Sequence, residues 1–230
     1  PYNLEKPLWV FVGSTVNAVY SENRQKRSDV LTVVRFLHHV LENRRGWAVK
    51  TIQRLLEGKT GLVTPEGQDL FLGRFKHLRE TGLSPQQLYE NILGRMFHAP
   101  AGGGLHLCDI RGSAGELGLK AGGAEDYFGL IYIGDTAAFK KLVEEDAAGI
   151  TLEEDALSGS LFEDINRPDS NTHLLIGAKK FMEGWNSWRV SNMGLLNIGR
   201  QEGSQIIQLF GRGVRLRGKG FTLKRSAALD

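Results

Sequence analysis

Apolar and polar positions follow two different periods along this chain, and together they predict strands that alternate with helices. The uninterrupted apolar run Leu8–Val12 ends at Gly13, which predicts a short buried strand followed by a turn. Apolar residues then recur at helical spacing from Val30 to Leu41. This spacing predicts an amphipathic helix of about four turns that begins near Ser28 and ends near Gly46.

The middle of the chain reads as mainly helical, with one strand after it. Residues 46–104 lack strand periodicity, and the segment Ser84-Pro85-Gln86-Gln87 has the composition of a helix start, with a capping serine and a proline at the first position. Leu105–Ile110 predicts a strand. The glycine-rich stretch Gly112–Asp126 predicts loops.

Regular alternation returns in the second half of the chain. Gly129–Ile133 predicts a strand, and Asp135 is placed to cap the helix that follows it. His173–Ile176 and Met193–Ile198 predict two more strands, and a last helix is expected from Ser204. Strands separated by helices favour a mainly parallel sheet covered on both faces, so we expect an α/β fold.

Composition narrows the class of protein without deciding its function. The 230 residues suit one domain, or one domain with an insertion, and 41% apolar residues allow a sizeable core. The net charge of +3 is too small to predict a nucleic-acid partner by itself. Its distribution is uneven, since the segment Arg212–Arg225 is basic and Glu144–Asp169 is acidic.

The single cysteine, Cys108, excludes an internal disulfide and indicates a reducing, cytoplasmic setting. Paired with His106 it lacks the further ligands that a zinc site needs, so we expect no metal site made by this chain alone. No apolar run is long enough for a membrane span, and no signal peptide is visible. The abrupt start at Pro1 reads as that of an excised piece.

The strongest chemical signal is the segment Gln208-Leu-Phe-Gly-Arg-Gly-Val-Arg215. Arg212 and Arg215 are three residues apart, which places them on one face of a helix. Two guanidinium groups on one face can hold a polyanion and can neutralise charge on a transferred phosphoryl group. The alternative for this segment taken alone is a solvated basic helix end, favoured by the helix dipole.

A second signal follows the strand predicted at residues 173–176. The loop after it carries Lys179 and Lys180 and then the segment Glu183-Gly184-Trp185-Asn186. Loops at the carboxyl ends of parallel strands are common ligand sites, and Gly184 allows a close approach to phosphate or sugar. The alternative is an ordinary glycine turn with Trp185 packed beneath it.

These two segments resemble motifs V and VI of superfamily-two helicases, and Phe11–Thr15 resembles motif IV of the same family. Motif VI is matched by Gln-x-x-Gly-Arg-x-x-Arg at Gln208, Gly211, Arg212 and Arg215. The Glu-Gly-Trp-Asn loop is similar to the Glu-Gly-Trp-Asp of the ATP-dependent, DEAD/DEAH-type subunit of type III restriction enzymes. The resemblance implies a RecA-like three-layer domain over residues 1–230, with a largely helical insertion at 45–127.

The resemblance also implies roles for the matched residues. Arg212 and Arg215 would reach the γ-phosphate of ATP across an interdomain cleft, with Gln208 positioning that phosphate or the attacking water. Nucleotide contact would further involve Gly211, Gly184 and Asn186, while the nucleic-acid backbone would be contacted by Ser14, Thr15, Lys179 and Lys180. Asn186 stands where the family has Asp. The missing charge puts in doubt the charge-based coupling of nucleotide to nucleic acid at that position.

Half of the ATP site is absent from the sequence. Gly58-Lys59-Thr60 imitates the end of a phosphate loop, but Gln53 stands where its first glycine is required, and there is no Asp-Glu box for Mg²⁺. ATP with Mg²⁺ is therefore expected only together with an N-terminal RecA-like domain of the same full-length protein. The fragment alone is expected to be inactive.

The expected function is that of a C-terminal motor domain of an ATP-dependent helicase or translocase related to DNA restriction. DNA is the expected partner, RNA remains open, and a modification or nuclease subunit, with endonuclease activity elsewhere, would fit the family. The alternative is a non-catalytic DNA-binding or interaction module on a RecA-like scaffold.

Overall fold

The computed structural model describes residues 6–13, 20–22, 25–178, 185, 187–196, 207 and 211, and for 20–22, 25–27 and 178 it describes the backbone alone. In chain order the strands are β1 Leu8–Gly13, β2 Tyr20–Glu22, β3 Gln25–Arg27, β4 Leu105–Ile110, β5 Glu116–Ala121, β6 Gly129–Tyr132, β7 Thr151–Asp155, β8 Leu174–Ala178 and β9 Val190–Leu196. The α-helices are α1 Asp29–Glu42, α2 Trp47–Glu57, α3 Lys76–Glu80, α4 Pro85–Met96, α5 Thr136–Asp146 and α6 Leu161–Asp164.

Seven strands form one sheet in the order β7-β4-β5-β6-β8-β1-β9. β5 is antiparallel to both of its neighbours, and the other four adjacent pairs are parallel. The molecule is therefore an α/β protein with a mainly parallel sheet flanked by helices. This confirms the predicted fold class and is consistent with a RecA-like three-layer arrangement. None of the helices in the described part of the chain is long and apolar enough to cross a membrane.

The two faces of the sheet bury different sets of side chains. Leu174 and Ile176 of β8 pack with α1, α4 and α5, and this surface is called the α1 face below. Leu175 points the other way and packs with Leu8 and Val10 of β1 and with residues around α6, which defines the α6 face. Alternate residues of one strand thus belong to separate cores, as expected for a strand buried on both sides.

The predicted first helix is confirmed, and its capping explains where it begins. Ser28 is the N-cap, and its hydroxyl accepts a hydrogen bond from the Leu31 amide at 3.3 Å. The helix ends earlier than expected, at Glu42, because Asn43 adopts a left-handed conformation with φ of 43°. A short 3₁₀ turn, Arg44–Gly46, then leads directly into α2.

Residues 44–97 form a helical segment, called the helical arm below, that contains α2, α3 and α4. The predicted start of α4 is confirmed, since Ser84 and Gln87 form a reciprocal capping box and Pro85 is the first helical residue. The expected insertion at 45–127 thus begins with a helical part that ends with α4 at Met96. Its remainder contains β4 and β5, which are strands of the main sheet.

The loops predicted for Gly112–Asp126 were wrong, because β5 occupies part of that stretch. Leu117, Leu119 and Ala121 alternate toward the α1 face, a pattern that the surrounding glycines obscured. Gly118 is required by packing, since a Cβ there would lie 2.5 Å from the ring of Tyr127. The acidic edge strand β7 was also missed, because its sequence, TLEED, is mostly exposed and lacks apolar alternation.

Candidate functional site

Three neighbouring strands end at the same level at the carboxyl edge of the sheet. Gly13, the last residue of β1, is paired with Ala178 at the end of β8 and with Leu196 at the end of β9. In the sequence, Ser14 and Thr15 follow Gly13 directly, and Lys179 and Lys180 follow Ala178. The described strands therefore bring together the points at which two of the predicted site segments leave the sheet.

Most of the predicted site residues lie outside the described residues. These are Ser14, Thr15, Lys179, Lys180, Gly184, Asn186, Gln208, Arg212 and Arg215. Gly211 is described as helical, and a Cβ at this position would meet no atom within 4 Å of the described chain. Packing within the described residues therefore gives no reason for a glycine at position 211.

The connections that leave the carboxyl edge of the sheet run over opposite faces of it. The connections that follow β1 and β6 run through α1 and α5 on the α1 face. The connection from β8 to β9 passes β1, and Trp185 within it packs on the α6 face. Crossover connections between parallel strands are almost always right-handed, so connections that run in opposite directions along the sheet cover opposite faces. The point at which the direction changes is called a switch point, and α/β proteins commonly bind ligands in the crevice there.

The amino end of α1 lies beside Gly13. A Cβ on Gly13 would be 3.6 Å from both Cβ and Oδ2 of Asp29, and Asp29 is 6% exposed. Helix amino ends favour anions, but here a buried carboxylate already occupies the first turn. This helix end is therefore not an open phosphate site, and any anion at the edge must be held by other groups.

Trp185 supports the packing alternative that was raised for its loop. Its side chain is partly buried against the α6-face core, and its ring centroid is 6.2 Å from that of Phe162. Phe162 in turn stacks on Tyr132 at 4.7 Å. Trp185 thus anchors the connection between β8 and β9 to the sheet instead of presenting an open stacking face.

A second polar group of residues lies on the α6 face of β4 and β7. Glu153 contacts Nδ1 of His106 at 2.7 Å and accepts a hydrogen bond from the Cys108 thiol at 3.5 Å. Burial raises the pKa of Cys108 to about 11, which favours the thiol over the nucleophilic thiolate. Among the described residues no group of three metal-ligating side chains is present.

Asp155 and Tyr127 also lie on the α6 face of the sheet. Tyr127 donates a hydrogen bond to Asp155, and the Ser158 hydroxyl donates to the same carboxylate at 2.6 Å. Hydrogen bonds from Ser158 and Tyr127 hold the pKa of Asp155 well below its ordinary value, while burial raises the pKa of Tyr127. Hydrogen bonds within the chain thus satisfy the Asp155 carboxylate and tie the segment before β6 to the end of β7.

Glu116 is the most deeply buried charged side chain of the described chain, at 1% exposure. Its carboxylate accepts hydrogen bonds from the Ser113 and Ser160 hydroxyls and from the backbone amides of Leu161 and Phe162. The carboxylate thus satisfies the amino end of α6 and fastens it to β5. Its acceptor sites are occupied from within the chain, which leaves them unavailable to a ligand.

At the opposite, amino edge of the sheet, Arg189 joins three segments. Its guanidinium donates to the backbone carbonyls of Lys6, Ile165 and Thr172, with the Lys6 bond at 2.9 Å. All three acceptors are backbone oxygens of this chain, so Arg189 serves the fold and does not face a ligand. Arg189 was not predicted, since a lone arginine before a predicted strand gives no signal.

Comparison with known proteins adds no relative to this description: no protein-family model, no curated protein and no solved structure matches the chain.

Proposed function

We propose that this chain is the C-terminal motor domain of an ATP-dependent nucleic-acid helicase or translocase. Its part in catalysis is to supply Arg212 and Arg215 to an ATP site that a first motor domain completes. The branch that fits best is DNA restriction, where a modification or nuclease subunit accompanies the motor. The cytoplasm, with its reducing conditions, is the compartment that goes with this function and with a single unpaired cysteine.

The observation that supports the proposal most is the pairing of Gly13 with Ala178 and Leu196. Strands β1 and β8, from which the segments resembling motifs IV and V continue, are neighbours in the sheet, although they are far apart in the sequence. The divergence of the chain connections at the same edge is the arrangement at which α/β proteins commonly bind nucleotides.

In this proposal ATP binds between the two motor domains. Arg212 and Arg215 neutralise charge on the γ-phosphate, Gln208 positions it, and Gly211, Gly184 and Asn186 contact the nucleotide. Ser14, Thr15, Lys179 and Lys180 hold the nucleic-acid backbone. Mg²⁺ is assigned to the first motor domain, because the sequence has no Asp-Glu box for it. Hydrolysis opens and closes the cleft and moves the pair of domains along the strand.

The test is Arg215→Ala in the full-length protein. Loss of a guanidinium that acts on the γ-phosphate should lower nucleic-acid-stimulated ATP hydrolysis by roughly 10³-fold while leaving the thermal unfolding midpoint unchanged. Arg217→Ala, two residues away with the same charge change, is the matched control and should retain most of the activity. Hydrolysis at the wild-type rate in Arg215→Ala would exclude the assigned role.

One observation favours the second candidate, a non-catalytic DNA-binding module. Asn186 replaces the acidic residue of the family motif, which weakens the coupling between nucleotide and nucleic acid. In that case Arg212 and Arg215 bind backbone phosphates directly. Salt-dependent DNA binding by this chain, together with a full-length protein that hydrolyses no ATP, would favour this second function.

A further inference from the structure

The helical arm, residues 44–97, has a net positive charge. It contains nine Lys and Arg residues and five Asp and Glu residues, a net charge of +4, whereas the whole chain has a net charge of +3. The rest of the chain is therefore slightly negative. A positive segment on a nearly neutral protein creates a local field that attracts polyanions.

Several of these cations gather at the carboxyl end of α2. Arg54 donates to the carbonyls of Lys59 at 3.1 Å and Thr60 at 2.9 Å, and Arg79 donates to the carbonyl of Leu56 at 3.0 Å. Leu72 packs against the same turn, since a Cβ on Gly58 would lie 2.9 Å from its Cα. Two further cations follow this contact in the chain, and the basic knob is defined as Arg54, Lys59, Arg74, Lys76 and Arg79 with Phe75.

Nearby carboxylates neutralise only part of this charge. Glu57 pairs with Lys59 at 3.2 Å, and Glu80 pairs with Lys76 at 3.6 Å. Asp69 is occupied by hydrogen bonds from the backbone and hydroxyl of Thr60 and from the amides of Gly61 and Phe71.

Arg54, Arg74 and Arg79 consequently form no ion pair with any acidic group that the structure describes. The carbonyl oxygens that hold Arg54 and Arg79 orient their guanidinium groups without cancelling the charge. Three arginines of the knob therefore keep a full positive charge for a partner from outside.

Phe75 lies between Arg74 and Lys76 in the chain and has an unusual conformation. Its side chain is 41% exposed, and its backbone has φ of 55°, a left-handed region that disfavours a bulky residue. Its ring lies nearly parallel to that of Phe71, with centroids 6.0 Å apart. Backbone strain of this kind is concentrated at functional positions, and here it is combined with an aromatic ring that water reaches.

We propose that the basic knob is a second nucleic-acid contact, which binds the backbone of a single strand through Arg54, Arg74 and Arg79 and stacks a base on Phe75. A combination of arginines and an exposed aromatic ring is how proteins hold single strands without reading their sequence. The inference rests on the proposed function for its substrate class, because nucleic acid is the polyanion that such a motor engages.

The knob is a separate contact because it belongs to a segment that begins at the far end of α1 from the proposed catalytic edge. α1 begins beside Gly13 and has 14 residues, which corresponds to a length of roughly 20 Å, and the arm starts after its far end. Side chains of the knob therefore act on strand binding and not on the γ-phosphate.

The test is binding of a labelled oligothymidylate to this chain, measured by fluorescence anisotropy at several salt concentrations. Phe75→Gly removes the ring and relieves the left-handed strain, so the variant should fold at least as well as the parent and bind roughly tenfold more weakly. Arg74→Gln should weaken binding and reduce the slope of log affinity against log salt by about 0.7.

Lys141→Gln is the matched control, since it removes an exposed cation on α5, outside the arm, and should change neither affinity nor slope. Absence of oligonucleotide binding by the chain, or equal binding by all three variants, would overturn the inference. So would binding of an acidic protein segment at the knob that an excess of oligonucleotide fails to displace. The ATPase test of Arg215→Ala is read on a different assay, so failure of the proposed function and failure of this inference are distinguishable.

Discussion

The two halves of the sheet use polar residues in opposite ways. In one half, made of β6, β8, β1 and β9, all neighbouring strands are parallel, and the segments that resemble helicase motifs leave from its carboxyl edge. In the other half, made of β7, β4 and β5, an antiparallel strand is inserted, and polar side chains form hydrogen bonds with one another across the α6 face. Glu116, Asp155 and Tyr127 belong to that half, and each is bonded within the chain.

The comparison shows that buried polar residues are a poor guide to the site in this protein. A perturbed pKa often points to a functional group, but structural hydrogen-bond networks perturb pKa values too. The pKa values of Cys108 and Tyr127 are raised and that of Asp155 is lowered, yet each of these side chains is hydrogen-bonded within the chain. Function is expected from the other half, because the segments that resemble helicase motifs leave from its carboxyl edge.

The largest effect on stability is expected from Glu116→Ala in the antiparallel half. Removing the carboxylate leaves the amides of Leu161 and Phe162 without their acceptor, which should lower the free energy of unfolding by roughly 3 kcal/mol. Urea denaturation measures this change. Glu154→Gln, which removes an exposed carboxylate that pairs with Arg111, is the control and should cost less than about 1 kcal/mol. Equal costs for the two variants would contradict the structural role of Glu116.

A matched pair of glycines compares the two halves directly. Gly115 has φ of 89°, and a Cβ there would lie 2.6 Å from the backbone oxygen of Ile133, so Gly115→Ala should cost about 2 kcal/mol or more. Gly13 meets only ordinary contacts at 3.6 Å, so Gly13→Ala should cost less than about 1 kcal/mol. The thermal unfolding midpoints of the two variants, compared with that of the wild type, measure these losses of stability. A larger loss in Gly13→Ala would mean that the carboxyl edge of β1 is packed as tightly as β5.

Arg189→Lys tests whether the parallel half depends on a single side chain at its amino edge. Lysine keeps the charge but cannot reproduce the fork that reaches Lys6, Ile165 and Thr172. The free energy of unfolding should fall by roughly 1–2 kcal/mol, as expected when buried carbonyls lose a charged donor. An unchanged denaturation midpoint would show that these three segments are held by the rest of the sheet.

The smallest expected effect is a dependence of stability on pH. Burial lowers the pKa of His173 below 6.5, and the nearby His98, Arg189 and Lys6 lower it further, against the Pro7 carbonyl, which raises it. The folded state therefore binds fewer protons than the unfolded state, and stability should fall as the pH drops below about 6.5. Burial also lowers the pKa of His38, against the opposing charge of Glu42.

His173→Gln should reduce this slope between pH 7 and pH 5, measured by urea denaturation at each pH. A variant with the wild-type slope would assign the pH dependence to His38 or to other groups.

Elements with strong local signals could be predicted from the sequence. β1 is a continuous apolar run, α1 has helical periodicity after a capping serine, and α4 begins at a capping box, so each was identified with its start within one or two residues. The end of α1 was misplaced because the left-handed turn at Asn43 comes before the expected Gly46.

Elements that are defined by long-range strand pairing could not be predicted from the sequence. β7 is recognised as a strand only through its bonds to β4, since its acidic residues have no apolar alternation. The pairing of β1 with β8 and β9, which supports the candidate site, is likewise invisible in local periodicity. Motif resemblance suggested that these segments share a site, and the sheet shows that their preceding strands are neighbours.

The separation of β1 from its partners along the chain also has a kinetic consequence. Residues 9 and 174 are adjacent in the sheet, whereas β4, β5 and β6 join neighbours only a short distance away in the chain. Closing a long loop before any contact is gained slows folding, so the β4–β6 meander should form early and β1 should dock last. The edge proposed for ATP and nucleic acid would then be assembled only in the final step, which keeps partly folded chains from engaging either ligand.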